Sequence, residues 1–488
     1  MSSANFPGID ARLSATLYWC GLALIGAAVI SGLIVPAMTL ARFVPLDPNE
    51  GWNAFFSQIA MRAGVLYPEP AGSPIINVYP PLSFYIVGVV GHLIGDNIFA
   101  GRTVALLSML IVGCNVYLWL RATGSTNRIA WLGAGVFAAF AVTYAHPYAG
   151  INDPQWLGHA LMTSGLVVMW RGNASTRAIA LGALLVIAGG WSKHSIVALP
   201  IATTWWLLRR SGWAFLTWIA CCAVLMAVAA ILVWKLYGIA FVHSLLFARQ
   251  YSMHQAIKDT RTAFKCFAPI IALSLLLLPR ARGSQKTEFA IVYLLVAAVV
   301  ATLASGGIGI DINKYFDLMI SASLCAALSV ESLWAWRLPW LRRTVEFGPA
   351  MTLLLGVYLA AYAASLMPST IRFLETLNAR EQQTLADISL VSSSGHGRAA
   401  CETMELCYWG KSEFTVDIFD FGQRLLVGAE PLTTCATLFD GRHILLLQLF
   451  PHSEGASEQL PSACNAAIRQ NYRLTYESAS GEFLTPAG

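Results

Sequence analysis

The sequence predicts an all-α polytopic membrane domain of about eleven transmembrane helices followed by a small soluble α/β domain, and three observations carry that prediction. Of 488 residues, 57% are hydrophobic and only 12% are charged, where an average soluble domain has roughly 25% charged residues. Apolar stretches long enough to cross a bilayer, about 20 residues each, recur from Thr16 to about Leu366. Beyond Pro368 the balance changes: 12 acidic and 23 basic residues precede it, whereas 14 acidic and 8 basic residues follow. A soluble enzyme of this size is excluded, and a net charge of +5 is too small to point to nucleic acid.

Taken in order, the spans fall near 16–41, 98–120, 129–146, 155–170, 176–191, 195–208, 212–238, 263–279, 288–305, 315–333 and 347–366. Orientation follows from Lys and Arg in the short loops. The groups Arg12, Arg121/Arg128, Arg171/Arg177, Arg209/Arg210, Arg280/Arg282/Lys286 and Arg337/Arg342/Arg343 then all face the cytoplasm. This puts the N-terminus inside and the tail outside. Leu82 to Gly95 is apolar but too short to cross, and counting it would move Arg121 and Arg128 outside. It reads as an interfacial or re-entrant helix within a long first exterior loop, 42–97, which also carries an amphipathic helix from Gly51 to Ala63 opened by Asn49-Glu50. No internal repeat of the transporter kind is visible. The first span lacks a small-residue cleavage pattern, so it reads as a span and not a signal peptide.

The division is therefore 1–368 for the membrane domain and 369–488 for an exported α/β domain. The tail opens with a polar helix, Arg372 to Leu385, and continues with strand-like runs at Ile388–Val391, Ile444–Leu449 and Tyr472–Tyr476. Six cysteines lie in or beside apolar spans. The other four, Cys401, Cys407, Cys435 and Cys464, form an even set that predicts two disulfides with three open connectivities. Trp409, Tyr408 and Phe421 are either sugar-stacking or core aromatics.

Ionisable groups are costly in the hydrocarbon layer and gather at cavities or interfaces. Here eight of the twelve acids before Pro368 belong to the exterior side, among them Asp47, Glu50, Asp153 and Asp317. Ten basic residues join them, including Lys193, Arg249 and Lys314. Cations kept outside against the orientation rule suggest an anionic ligand; loop charges paired among themselves are the other reading. Asp47-Pro48-Asn49-Glu50 at a loop-to-helix junction fits a general base with an orienter or cation ligand, and equally two acids complementing a helix dipole. Asp153-Pro154 fits a helix start. Lys193 and the pair Lys314-Tyr315 fit either phosphate ligands or ordinary interface anchors. His146, His159, His243 and His254 have no metal-ligand spacing, so zinc is not expected.

In order along the chain, Asp47-Pro-Asn-Glu50-Gly-Trp52, Tyr79-Pro80-Pro81-Leu82 leading to Gly101-Arg102, Asn152-Asp153, Trp191-Ser-Lys193 and Asp311-Ile-Asn313-Lys314-Tyr315 resemble the GT-C superfamily of membrane glycosyltransferases. The likeness runs through most of residues 30–330 and is greatest to the bacterial branch with the lipid A aminoarabinose transferase and the Rgt-type enzymes. It implies an inverting transferase moving a sugar from a polyprenyl-phosphate carrier to a lipid, glycan or protein acceptor at the periplasmic face of the inner membrane. It also implies catalytic roles for Asp47, Glu50 and Asp153, and donor binding by Lys193, Arg249, Lys314, Tyr315, His243 and Tyr79. No cofactor is firmly implied; a divalent cation on Asp47 and Glu50 stays open. Two alternatives remain, a transporter or flippase of a lipid-linked sugar and a non-catalytic scaffold of envelope assembly.

Overall fold

The computed structural model describes residues 11–69, 73–247, 249–340, 343–451 and 453–487. Arg342, and the side chains of Arg280, Arg282 and Arg343, lie outside the described residues. The chain is mostly helical because its long apolar runs can satisfy their backbone hydrogen bonds in a membrane only within a helix. Helix α1 (Ala11–Thr39) leads into two short helices, α2 (Asn49–Met61) and α3 (Leu82–Ile94). Then come α4 (Asn97–Ala122), α5 (Asn127–Thr143), α6 (Gln155–Arg171), α7 (Thr176–Ser192), α8 (Ala198–Arg210) and α9 (Gly212–Leu245). The bundle continues with α10 (Met253–Leu275), α11 (Gln285–Ala304), α12 (Phe316–Ser332) and α13 (Phe347–Gly395).

Every stretch read as a span carries a helix, and α1, α4, α9, α11 and α13 are each long and apolar enough to cross a membrane. Three boundaries differ from the sequence reading. Gly238, at φ 62° and ψ −149°, kinks α9 where the span was expected to end, but the helix resumes to Leu245; this backbone is open to glycine and costly for other residues. Helix α10 begins ten residues early, because Ser252 caps it by accepting from the Gln255 amide at 3.3 Å. Helix α13 runs unbroken through Pro368, so the compositional divide at 368/369 falls inside a helix. The polar helix expected at Arg372–Leu385 is its middle part, and Ile388–Val391, expected as a strand, is its last turns. There Val391 packs on Cys401, Leu406 and Phe483.

The core of the bundle is aromatic: Trp156 stacks on Phe316 at 3.9 Å between ring centres, and Trp170 on Trp206 at 4.2 Å. One end gathers the basic loops, where Lys286 meets Glu331 at 2.7 Å and Arg209 meets Glu288 at 3.2 Å. The other end carries the carboxylate-rich loops and the C-terminal unit.

After α13 come β3 (Ala399–Cys401), α14 (Met404–Trp409), α15 (Ile418–Leu426), α16 (Thr434–Leu438), β4 (Leu446–Leu449), α17 (Ser462–Asn471), β5 (Tyr472–Ser478) and β6 (Gly481–Pro486); a hairpin of β1 (Arg337–Trp340) and β2 (Arg343–Glu346) precedes α13. The four-stranded sheet has the order β3-β4-β6-β5, with β3 parallel to β4 and the remaining pairs antiparallel. Disulfides join Cys401 to Cys407 and Cys435 to Cys464. Tyr408, Trp409 and Phe421 all serve packing: Trp409 sits against Phe43 and Phe99 and donates to Asp96 at 3.0 Å, the Tyr408 hydroxyl accepts from the Asn97 amide, and Phe421 lies in the core of the unit.

The C-terminal unit docks through α14 on α2. Gly51 makes this possible, since a Cβ there would come within 2.4 Å of the Glu405 nitrogen and the Met404 carbonyl carbon. Phe55 stacks on Phe414 beside it, with ring centres 4.7 Å apart. Glu405 is wholly buried and neither of its carboxyl oxygens has a hydrogen-bond partner among the described residues. Burial, with the nearby Glu50 charge, pushes its pKa well above the usual carboxylate range. Because the folded state holds this proton more tightly than the unfolded chain, stability is greatest in acid and falls as pH rises past the ordinary Glu pKa. Glu405→Gln is expected to raise the melting temperature at pH 7 to 8 and leave it unchanged at pH 4, read by thermal unfolding across that range.

Candidate active site

The loop that leaves α1 turns sharply at Asp47. The Asn49 amide donates to Asp47 Oδ1 at 2.9 Å and the Glu50 amide donates to the Asp47 carbonyl at 2.8 Å. This turn sends the two acids in different directions. Glu50 points inward and is fully buried, where Arg102 Nε and Nη2 donate to its two oxygens at 2.8 and 2.6 Å. The other Arg102 donors reach the carbonyls of Thr39, Arg42 and Val44 at 2.7, 2.9 and 2.7 Å, so every guanidinium N–H direction is used. The Asn152 amide also donates to Glu50 Oε1, at 3.0 Å. Glu50, expected as a catalytic acid, lines neither of the cavities described below, and its oxygens hold α2, α4 and the Asn152 loop together. For the same reason a cation shared by Asp47 and Glu50 does not fit this arrangement. Among the described residues, no cluster of three or more His, Cys, Asp or Glu has metal-binding geometry.

Asp47 instead lines a cavity of about 180 Å³ together with Trp52, Tyr79, Arg249, Glu402, Asp417 and Phe419. Burial pushes its carboxyl up to about 6, against the stabilising Asn49 amide and helped by the charges of Glu50 and Asp153. A second cavity, of about 350 Å³, is lined by Lys193, Arg249, Lys314, Gln155, His194 and Asn313 among others. The two share Val78, Tyr79, Arg249 and Gly309 as a common wall.

Each cation of the second cavity is held by a carboxylate. Lys193, in extended conformation at the end of α7, lies 3.6 Å from Asp153 Oδ2 and 3.4 Å above the centre of the Tyr79 ring, a cation–π contact. Asp153 uses its other oxygen to accept from the Gln155 amide at 2.8 Å, at the start of α6, and lines neither cavity. Arg249 donates to Asp420 at 2.8 Å, a bond that ties the membrane bundle to the C-terminal unit. Lys314 donates to Asp259 at 2.7 Å.

Two expected donor ligands are not brought in. His243 is half-exposed and pairs with Glu69 at 2.9 Å, lining neither cavity. Tyr315 is buried with its hydroxyl 2.8 Å from Ser305 Oγ; it neighbours Lys314 in a 3₁₀ turn, and adjacent residues there diverge. Reading the sequence missed Trp52, Gln155, His194 and Asn313 as lining residues, along with Glu402, Asp417 and Asp420 of the tail. The spacing Asp417-Ile-Phe-Asp420, acids flanking an aromatic, was the available signal for the last two.

A membrane helix bundle with a long, helix-bearing first loop, closed at one end by a C-terminal unit over paired acidic and basic cavities, has the GT-C fold. It is the fold of membrane glycosyltransferases, and the resemblance read from the five motifs holds at that level. The ArnT aminoarabinose transferase of Cupriavidus metallidurans, solved bound to undecaprenyl phosphate, superposes with a TM-score of 0.57 at 12% identity, over 95% of this chain and 97% of that one. Its apo form gives 0.59 at the same identity and coverage. The Archaeoglobus fulgidus oligosaccharyltransferase, tethered with an acceptor peptide, gives 0.51 at 11% identity, over 96% of this chain and 74% of that one. No protein-family model and no curated protein matches the sequence.

Proposed function

We propose that the chain is an inverting glycosyltransferase that takes a sugar from a polyprenyl-phosphate carrier and passes it to a lipid, glycan or protein hydroxyl at the periplasmic face of a bacterial inner membrane. The observation that carries this reading is the meeting of the two cavities at Tyr79 and Arg249. A glycosyl transfer to a hydroxyl needs a base beside the nucleophile and preorganised cations beside the departing phosphate, with the anomeric carbon held in line between them. Asp47 stands on one side of the shared wall, Lys193 and Lys314 on the other, and Arg249 in the wall itself. The acceptor hydroxyl attacks the anomeric carbon, the C–O bond to the carrier phosphate breaks on the opposite face, and the hydroxyl proton passes to Asp47. Asp153 orients Lys193, and the Tyr79 ring holds its ammonium.

A lipid carrier is supported by a further groove of about 680 Å³, walled by Tyr251, Ile257, Phe264 and Leu303 between α10 and α11. Tyr251 also borders the cavity of the cations, and Arg261 and Lys265 line the groove beside the apolar side chains. The basic loops at the far end of the bundle favour a cytoplasmic N-terminus, and residues 369–488 then form the periplasmic part. In nanodiscs, Lys193→Met, Arg249→Met and Lys314→Met are each expected to weaken undecaprenyl phosphate binding about tenfold or more, the size of one charge-assisted hydrogen bond. Wild-type affinity in all three variants would remove the phosphate site.

A further inference from the structure

Transfer from a polyprenyl-phosphate carrier changes the charge of the carrier. The sugar-loaded form is a phosphodiester with one negative charge, whereas the departing monoester carries close to two near neutral pH. A fixed cation attracts both forms, so it stabilises the start of the reaction along with its end, and only a contact that strengthens on the way adds to the rate. Lys193, Arg249 and Lys314, lying against Asp153, Asp420 and Asp259 at 3.6, 2.8 and 2.7 Å, are cations of that fixed kind. A side chain that gains positive charge as the phosphate gains negative charge does what they cannot.

The cavity of these cations contains one candidate, His194. It follows Lys193 in the loop after α7, and no hydrogen bond or ion pair joins its ring to another described residue. His194 is exposed to solvent, yet burial by the surrounding protein, then the charges of Lys193 and Arg249, push its imidazole down to about 4. Solvent contact combined with crowding is the condition of a side chain standing in a cleft. The other ionisable groups around the cavity are Lys314, Tyr79, Tyr251 and Asp317, the last accepting from the Tyr293 hydroxyl. Of all these side-chain types, only an imidazole ordinarily changes charge between pH 5 and 8.

We propose that His194 is the phosphate ligand that distinguishes the spent carrier from the loaded one. As the C–O bond breaks and its electron pair stays with the phosphate, the imidazole takes a proton from solvent and hydrogen-bonds the new negative charge as imidazolium. The acceptor's own proton goes to Asp47, so the two proton movements are separate, and the His194 proton returns to solvent when the carrier leaves. The role in the reaction rests on the glycosyltransferase reading; the link between phosphate charge and the imidazole proton belongs to the cavity. A bound dianion offsets the repulsion from Lys193 and Arg249, so the occupied site holds the proton more tightly than the empty one. By reciprocity, affinity for a monoester rises as pH falls.

The test uses the full chain in phosphatidylcholine nanodiscs, with farnesyl phosphate and its methyl ester as monoester and diester probes. Titration calorimetry in PIPES and in imidazole, buffers that differ in heat of ionisation, counts the protons taken up on binding. Farnesyl phosphate is expected to bind with about half a proton taken up at pH 7, and about fivefold tighter at pH 6.5 than at pH 8.5. The methyl ester should bind without measurable uptake and with an affinity that is flat over that range. His194→Gln keeps a side-chain amide that cannot take a proton; it should abolish the uptake and the pH slope for the monoester and change the methyl ester's affinity by less than about twofold. Equal uptake by wild type and His194→Gln, or equal uptake with the two probes, overturns this role and leaves the carrier site standing. Failure of both probes to bind the wild-type chain overturns the carrier site and this role with it.

Discussion

Asp47→Asn is expected to lower sugar transfer about a thousandfold while leaving undecaprenyl phosphate affinity unchanged. General-base catalysis contributes roughly 10²- to 10⁴-fold, and the amide keeps the size of the carboxyl while losing the ability to take a proton. The carrier cavity is lined by other residues, so its occupancy does not depend on this carboxylate. The wild-type pH profile gives a second, sharper readout. The ionised carboxylate is the active form, and burial sets its pKa at about 6, well above the ordinary Asp value of roughly 3.9. Transfer should therefore fall tenfold per pH unit below about 6, and this acid limb should vanish in the residual activity of the variant. Release of free carrier phosphate from a polyprenyl-phosphate-linked sugar measures both. Undiminished release by Asp47→Asn refutes the base assignment, and a scaffold would be indifferent to the substitution.

The limits of the sequence can be read from neighbouring residues. Helices were legible because apolar runs must hydrogen-bond internally, and α3 was correctly held apart from α4 because Gly95, at φ 94°, ends it before Asp96 caps the next helix. What the runs do not encode is where a polar helix takes over from an apolar one, which is why α13 was divided at Pro368 and α10 begun too late. Direction was the harder matter. Asp47 and Glu50 looked equivalent by spacing, yet one turn of backbone aims the first at a cavity and the second at Arg102, 52 residues away. Lys314 and Tyr315 separate in the same way within a single 3₁₀ turn. The acids of the tail were invisible as site residues because nothing local marks Asp420 as the partner of Arg249, 171 residues earlier; only the docking of α14 on α2 brings them together. Gly101-Arg102 belonged to the recognised pattern without a role, and the structure supplies one.

That role predicts the largest stability effect in the chain. Arg102→Met leaves Glu50 as a buried carboxylate without its cation and withdraws donors from the carbonyls of Thr39, Arg42 and Val44. Removing one partner of a buried ion pair costs about 3–5 kcal/mol, a large share of the ~5–15 kcal/mol that separates folded from unfolded proteins. Glu50→Gln in the same background takes away the uncompensated charge, so the double variant Glu50→Gln/Arg102→Met should melt at a higher temperature than Arg102→Met alone. It should nevertheless transfer sugar poorly. The same guanidinium anchors the carbonyls of the 39–44 segment that leads directly into Asp47, and a displacement of about 1 Å at a reacting group is enough to cost about a hundredfold in rate. Thermal unfolding of the two variants, set beside their turnover, separates the parts played by the pair: stability returns when the charge is removed, whereas activity returns only if the loop is still held. A double variant no more stable than Arg102→Met would show that the cost lies in the lost carbonyl contacts and not in the stranded Glu50 charge.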